Sequence, residues 1–194
     1  MNITISGQLR RWSVDEYSRL AEAGFFRDGR VELIDGAILR MSPQNPPHSS
    51  AIAFMTNLLV RAYGDTHLVR VQLPLSIGER SEPEPDFSLV RPEEVRAAKR
   101  HPTTADLVIE VSDSTLAFDR QPKASLYASA QVVEYWVLNI PEIKLEVYTE
   151  PRPDPTAEFG WSYSVCRVLL IDDSVTPQAL QGTLTLHQLF DWPR

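Results

Sequence analysis

The sequence predicts an α/β (α+β) sheet domain, and three observations carry the prediction. The stretch "ADLVIEVS" at 105–112 is an apolar run of strand length holding one inner carboxylate, Glu110, as a buried β-strand would read. Strand-like segments alternate along the chain with two longer helical patterns, the arrangement of a sheet flanked by helices. At 194 residues with 43% hydrophobic content, the chain can bury a full core, and residues 1–194 are expected to form a single domain.

Each element has a local reason. "SVDEYSRLAEAG" opens on Ser13 with Glu16 three residues later, a capping-box pattern, and closes on Gly24, which predicts a short helix. "RVELIDGAILRM" alternates around Asp35-Gly36, a two-residue hairpin signal. "SPQNPP" reads as a loop. "HSSAIAFMTNLLVRAYG" then carries Ile52, Met55, Leu59 and Ala62 at helical spacing and stops at Gly64. "HLVRVQLPLSI" reads as a strand, and "SEPEPDFSLV" as a proline-stiffened approach to another strand at 86–90. "RPEEVRAAKRHPTT" is a charged connection with room for one helical turn. "DLVIEV" follows as a central strand, and "SDSTLAFD" leads into a helix, "RQPKASLYASA". "VVEYWVLN" and "KLEVYTE" are strands, the second pairing with "WSYSVCRVLLI" across "PRPDPTAEFG". That Pro-rich segment is the one candidate for real flexibility. "GTLTLHQLFDW" predicts a short helix packed back on the body.

Composition excludes several classes. No run of about 18 apolar residues exists, so no membrane span is expected. The opening "MNITISGQLRRWS" lacks the charged-then-apolar order of a secretory signal. One cysteine, Cys166, allows neither an internal disulfide nor a multi-cysteine zinc site. A soluble cytoplasmic protein is the expectation. The net charge of −7 argues against a sequence-independent coat for nucleic acid, which needs a basic excess. It is compatible with acids gathered around a divalent metal.

Alternation along "DLVIEVS" sends Leu107, Ile109 and Val111 to one face and Val108, Glu110 and Ser112 to the other. An ionised Glu in an apolar strand costs several kcal/mol unless a cation or hydrogen-bond donors meet it. Pro85-Asp86 offers a second carboxylate at the start of another strand. Two such acids on adjacent strands are oxygen ligands suited to a hard cation such as Mg²⁺, although Asp86 also fits a turn residue. Lys123 lies on the next helix, sharing a side with Tyr127 and Ala130. Its ammonium either reaches a polar pocket or snorkels to solvent, paired with Asp119. Two metal-holding carboxylates and a lysine that assists the attacking water make a nuclease site.

At these residues the sequence resembles the Uma-type family of restriction endonucleases, within the PD-(D/E)XK nuclease superfamily. The resemblance is carried by "RVELIDGAILRMSPQNPPH", "VQLPLSIGERSEPEPDFSLVRP", "ADLVIEVSDSTLAFDRQPKASLYASAQVVEYWVLN" and "LEVYTEP". It implies a restriction-endonuclease-like core, a mixed central sheet flanked by helices with additional hairpins. It implies that Pro85-Asp86 is the PD element and Glu110-Val111-Ser112 the (D/E)XK element, with Ser112 standing where the superfamily lysine usually is. The lysine would then come from the next helix as Lys123, with Mg²⁺ (or Mn²⁺) held by Asp86 and Glu110. Glu32 matches the family's early acid and would support the site; a solvent-facing strand Glu is the alternative. His48, in "PPHSS", would contact phosphate or the metal's surroundings, or simply cap its helix, and Ser112 shares the face of Glu110. Tyr127, Glu134, Tyr135 and Trp136 fit the family too, and packing accounts for them. DNA is the implied substrate, and cutting both strands calls for a homodimer. The rival reading is a catalytically silent nuclease fold that binds nucleic acid or protein.

Overall fold

The computed structural model describes residues 9–96 and 100–192. The N-terminal segment that lacks a secretory pattern therefore lies largely outside the described residues, as do residues 97–99 within the charged connection. Among the described residues, no helix is long and apolar enough to cross a membrane.

The chain opens with α1 (Val14–Glu22), where Ser13 and Glu16 close the expected capping box. The hairpin of β1 (Val31–Ile34) and β2 (Ala37–Arg40) follows. Its turn places Asp35 at φ 45° and Gly36 at φ 73°, the paired left-handed conformations that a two-residue hairpin requires. A Cβ on Gly36 would lie 2.8 Å from the Trp12 backbone nitrogen, so the position also needs glycine for space.

Helix α2 (Pro46–Tyr63) begins two residues before the expected His48 start. Asn45 caps it by accepting the His48 amide at 3.0 Å, and the two prolines occupy the first turn, where no N–H is needed. Its buried stripe is Ala51, Met55, Leu59 and Tyr63, one residue out of phase with the expected Ile52 and Ala62 at its ends. Tyr63 brings a large apolar ring to the inner face, while Ala62 is exposed.

Six strands form the central sheet in the order β3 (Leu68–Val71), β4 (Phe87–Val90), β5 (Leu107–Ser112), β6 (Glu134–Asn139), β7 (Lys144–Pro153) and β8 (Trp161–Leu169). Only β5 and β6 run parallel; the other neighbours are antiparallel. The sheet is therefore mixed, as expected. Strand β3 is shorter than "HLVRVQLPLSI" suggested, because Gln72 takes φ 51° and turns the chain out of the ladder. Between β4 and β5 lies α3 (Pro92–Arg96).

The crossover from β5 to β6 is α4 (Leu116–Phe118), a π-helical turn (Asp119–Lys123) and α5 (Ala124–Ser129). It starts earlier than "RQPKASLYASA" implied. Pro122 has no N–H to return to the Phe118 carbonyl, so a regular α-turn cannot close there. The Tyr135 hydroxyl donates to the Asp119 carbonyl at 3.0 Å.

Most of the Pro-rich flexible candidate proves to be strand or short turn. Pro151 and Pro153 belong to β7 and pair with Tyr163 and Trp161 of β8. The β6 ladder begins at Thr149, so beyond it β7 is paired on one side only, where proline is tolerated. The pair β9 (Ser174–Val175) and β10 (Leu184–Thr185) leads into α6 (Leu186–Leu189), which packs into the core as the tail pattern predicted.

The sheet separates two apolar clusters. On one side α2 and α6 cover Leu107, Ile109, Val111, Trp136 and Leu138. On the other, α5 residues and Ile34 of the hairpin meet Val108, Tyr135 and Val137. The even-numbered face of β5 thus looks toward the crossover helix and the hairpin.

Candidate active site

Glu110 leaves that face and is only 4% exposed. Its Oε1 accepts two hydrogen bonds, from Lys123 Nζ at 2.9 Å and Tyr127 Oη at 2.7 Å. Both donors come from the π-turn and α5, one helical turn apart. Lys123 is 6% exposed, which excludes the snorkelling alternative. Its ammonium also lies 3.5 Å from Glu32 Oε2, and that oxygen accepts the Glu84 amide at 3.4 Å. Glu32, on β1, is buried rather than solvent-facing, so the hairpin supplies one wall of the site.

Asp86 stands immediately before β4 and is also buried. Its Oδ2 accepts the Val111 amide at 2.9 Å and contacts His48 Nε2 at 3.1 Å. Gln72 Nε2 donates to Oδ1 at 3.1 Å, which gives the left-handed turn at Gln72 a use. The Asp86 amide in turn reaches Glu110 Oε2 at 3.3 Å. The two carboxylates are thus tied together through the β4 and β5 backbones, as adjacent strands allow.

Asp119 is the fourth buried acid of the neighbourhood. It accepts Ser112 Oγ at 2.8 Å and Thr115 Oγ1 at 2.6 Å. Ser112 is fully buried and supports Asp119 from below. A cavity of about 380 Å³ opens over these groups. Glu32, His48, Asp86, Glu110 and Lys123 all line it, together with Asp119, Gln72 and Asp113; Ser112 does not. Asn45 Nδ2 donates to Asp113 Oδ2, joining the loop before α2 to the loop after β5.

Burial dominates the electrostatics. Desolvation pushes the Glu110 carboxyl up to about 8, Lys123 and Tyr127 pull against it, and Asp86 and Asp119 add to the rise. Burial disfavours the Lys123 ammonium, but Glu110, Glu32 and Asp119 outweigh that and raise its pKa. Asp86 also resists ionisation through burial, yet hydrogen bonding to His48, its charge, and the Val111 and Gln72 donors carry its pKa below the ordinary value. His48 moves the opposite way: burial opposes its charge and Asp86 raises its pKa. The site thus sets Asp86, whose ionisation is favoured, beside Glu110 and Asp119, whose burial disfavours ionisation, and an ammonium favoured by its acidic neighbours.

Among the described residues, no group of three or more His, Cys, Asp and Glu forms a ready-made metal cage. The donor set is two carboxylates facing an open cavity. That fits a hard cation which keeps several waters and takes one or two protein carboxylates, as Mg²⁺ does. It does not fit a closed zinc site. Asp86 and Glu110 Oε2 are the oxygens that would hold such an ion.

Tyr127, Gln72 and Asp113 were not singled out by sequence as site residues. Tyr127 had a signal, its spacing of four from Lys123, but an aromatic in a buried helix reads first as packing. Gln72 and Asp113 had none.

A family model described as "Putative restriction endonuclease" (Uma2) matches residues 14–178. Among solved structures, the chain is similar to one described as "a putative nuclease belonging to DUF820 from Anabaena variabilis ATCC 29413". The TM-score is 0.65 at 16% identity, covering 93% of this chain and 98% of that one, a likeness of fold. No curated protein matches the chain.

Proposed function

The chain belongs to the Uma2 family of nuclease-like proteins, and on that premise we propose that it is a metal-dependent endonuclease hydrolysing DNA phosphodiester bonds. The observation that carries the proposal is the convergence of Asp86, Glu110 and a buried lysine on one cavity. Mg²⁺, with Mn²⁺ as a substitute, is the ion whose coordination habit suits Asp86 and Glu110. Such an ion, when bound, acts as a Lewis acid on the phosphate and lowers the pKa of a coordinated water.

The chain's own groups have separable tasks. Asp86 is held ionised and oriented by three donors, so it is ready as a ligand. Lys123 presents a fixed positive charge where a phosphoryl transition state gathers negative charge, and its hydrogens can orient the attacking water. Glu32 keeps the ammonium on the hairpin side of the cavity. His48 fixes Asp86 from the rim, and Ser112 holds Asp119 beneath the floor. A single domain acting as a homodimer in the cytoplasm, with one recess per DNA strand, completes the proposal.

Ser112 in place of the usual superfamily lysine favours one rival, a silent fold that binds without cutting. Asp86→Asn and Glu110→Gln separate the two readings. Mg²⁺-dependent cleavage of plasmid DNA is expected in the wild type and at background in both variants, with circular dichroism unchanged. Equal cleavage by wild type and variants, or none by the wild type, contradicts the catalytic assignment.

A further inference from the structure

We infer that Tyr127 is a positioning residue, fixing the Glu110 carboxylate so that its second oxygen is offered beside Asp86. This rests on the proposed cation site and concerns a side chain that packing alone does not explain. The ring is fully buried against Tyr135, with centroids 5.1 Å apart, and sits among Val108, Ala124 and Val137. A phenylalanine would fill that space equally well. The hydroxyl is the unexplained part, since a buried phenol needs an acceptor.

Its acceptor is the same Glu110 oxygen that Lys123 already occupies. Lysine alone holds a carboxylate loosely, because its ammonium is a point charge on a flexible stem with three rotatable donors. Here it is also drawn toward Glu32, 3.5 Å away. Tyr127 supplies the directional bond: a rigid ring locked by its neighbours and one O–H aimed at Oε1. With both donors on Oε1, rotation of the carboxylate is stopped. Among the described residues, Oε2 is left with one long hydrogen bond, from the Asp86 amide at 3.3 Å, and so keeps capacity to coordinate. Fixing a ligand's orientation through its other atom typically changes cation affinity by 10–100-fold.

The experiment is a calorimetric titration of the full chain with Mn²⁺, alongside thermal unfolding. Tyr127→Phe is expected to bind Mn²⁺ about tenfold or more weakly than the wild type. Tyr163→Phe, which removes a hydroxyl bonded to the Val132 carbonyl, is the control and should leave Mn²⁺ affinity unchanged. Tyr127→Met, a second hydroxyl-free variant, should reproduce the weakening if the phenylalanine variant folds poorly. Unchanged affinity in the Tyr127 variants, or equal weakening in Tyr163→Phe, overturns the inference while leaving the cation site standing. A wild-type chain that binds no Mn²⁺ overturns the cation site and the inference together.

Discussion

Leu107, Ile109 and Val111 leave β5 on one side of the sheet, and Val108, Glu110 and Ser112 on the other, yet all six are nearly out of contact with solvent. The odd-numbered face meets α2 and α6 in a cluster of apolar side chains. On the even-numbered face, Glu110 accepts hydrogen bonds from Lys123 and Tyr127, and Ser112 donates to the buried Asp119. The difference teaches where this fold stores function. Apolar packing tolerates substitutions that keep volume and pattern, whereas each group left unpaired in a buried polar cluster carries its full desolvation penalty.

The largest test of that contrast is Lys123→Met. It leaves Glu110 buried with Tyr127 as its remaining side-chain donor, and should cost about 3–5 kcal/mol in denaturant unfolding. The loss should be greater at pH 8 than at pH 5, since a protonated Glu110 no longer needs the ammonium. A loss under about 1 kcal/mol at both pH values would show that the pair is not structurally coupled.

Next comes the opposite face. Ile109→Ala removes apolar volume from a site with no solvent exposure, and should cost about 2–5 kcal/mol. Its signature is a pH-independent loss, with cation affinity of the folded protein unchanged. Altered Mn²⁺ affinity would mean that the two faces are not independent.

The smallest effect, taken per pH unit, is the pH response of the intact site. The Glu110 carboxyl is raised in the folded chain to about 8, so the folded state holds a proton that the unfolded state has lost. The stability this proton confers is full below the ordinary carboxylate range and fades as pH rises through about 8, by at most 1.4 kcal/mol per pH unit. A cation must displace the same proton, so its affinity runs the other way. Thermal stabilisation by Mg²⁺ should therefore grow between pH 6 and pH 8. A flat response would remove Glu110 as the titrating ligand.

Much of the architecture was legible because it is written in local pattern. Ser13 with Glu16 announces a cap, Asp35-Gly36 a hairpin, and the alternation through Glu110 a strand with two distinct faces. Asp86, Glu110 and Lys123 were legible as chemistry because a charge in an apolar setting demands a partner. What the pattern hid depends on three-dimensional context. Pro151 and Pro153 look like loop residues, and are strand only because β6 has ended beside them. Pro122 gives no hint that its helix widens to a π-turn, with Tyr135 bonding to the carbonyl of Asp119. Tyr127 is indistinguishable from packing until its hydroxyl is seen on Glu110, and Gln72 enters only through a backbone conformation that no residue preference signals.

The most direct test of the central claim is crystallographic: soak crystals of the wild-type chain in Mn²⁺ and compute the anomalous difference map. The account predicts a peak between the carboxylates, within coordination distance of an oxygen of Asp86 and of Oε2 of Glu110, with Lys123 still on Oε1. A fully occupied peak elsewhere, or none at saturating Mn²⁺, would contradict it.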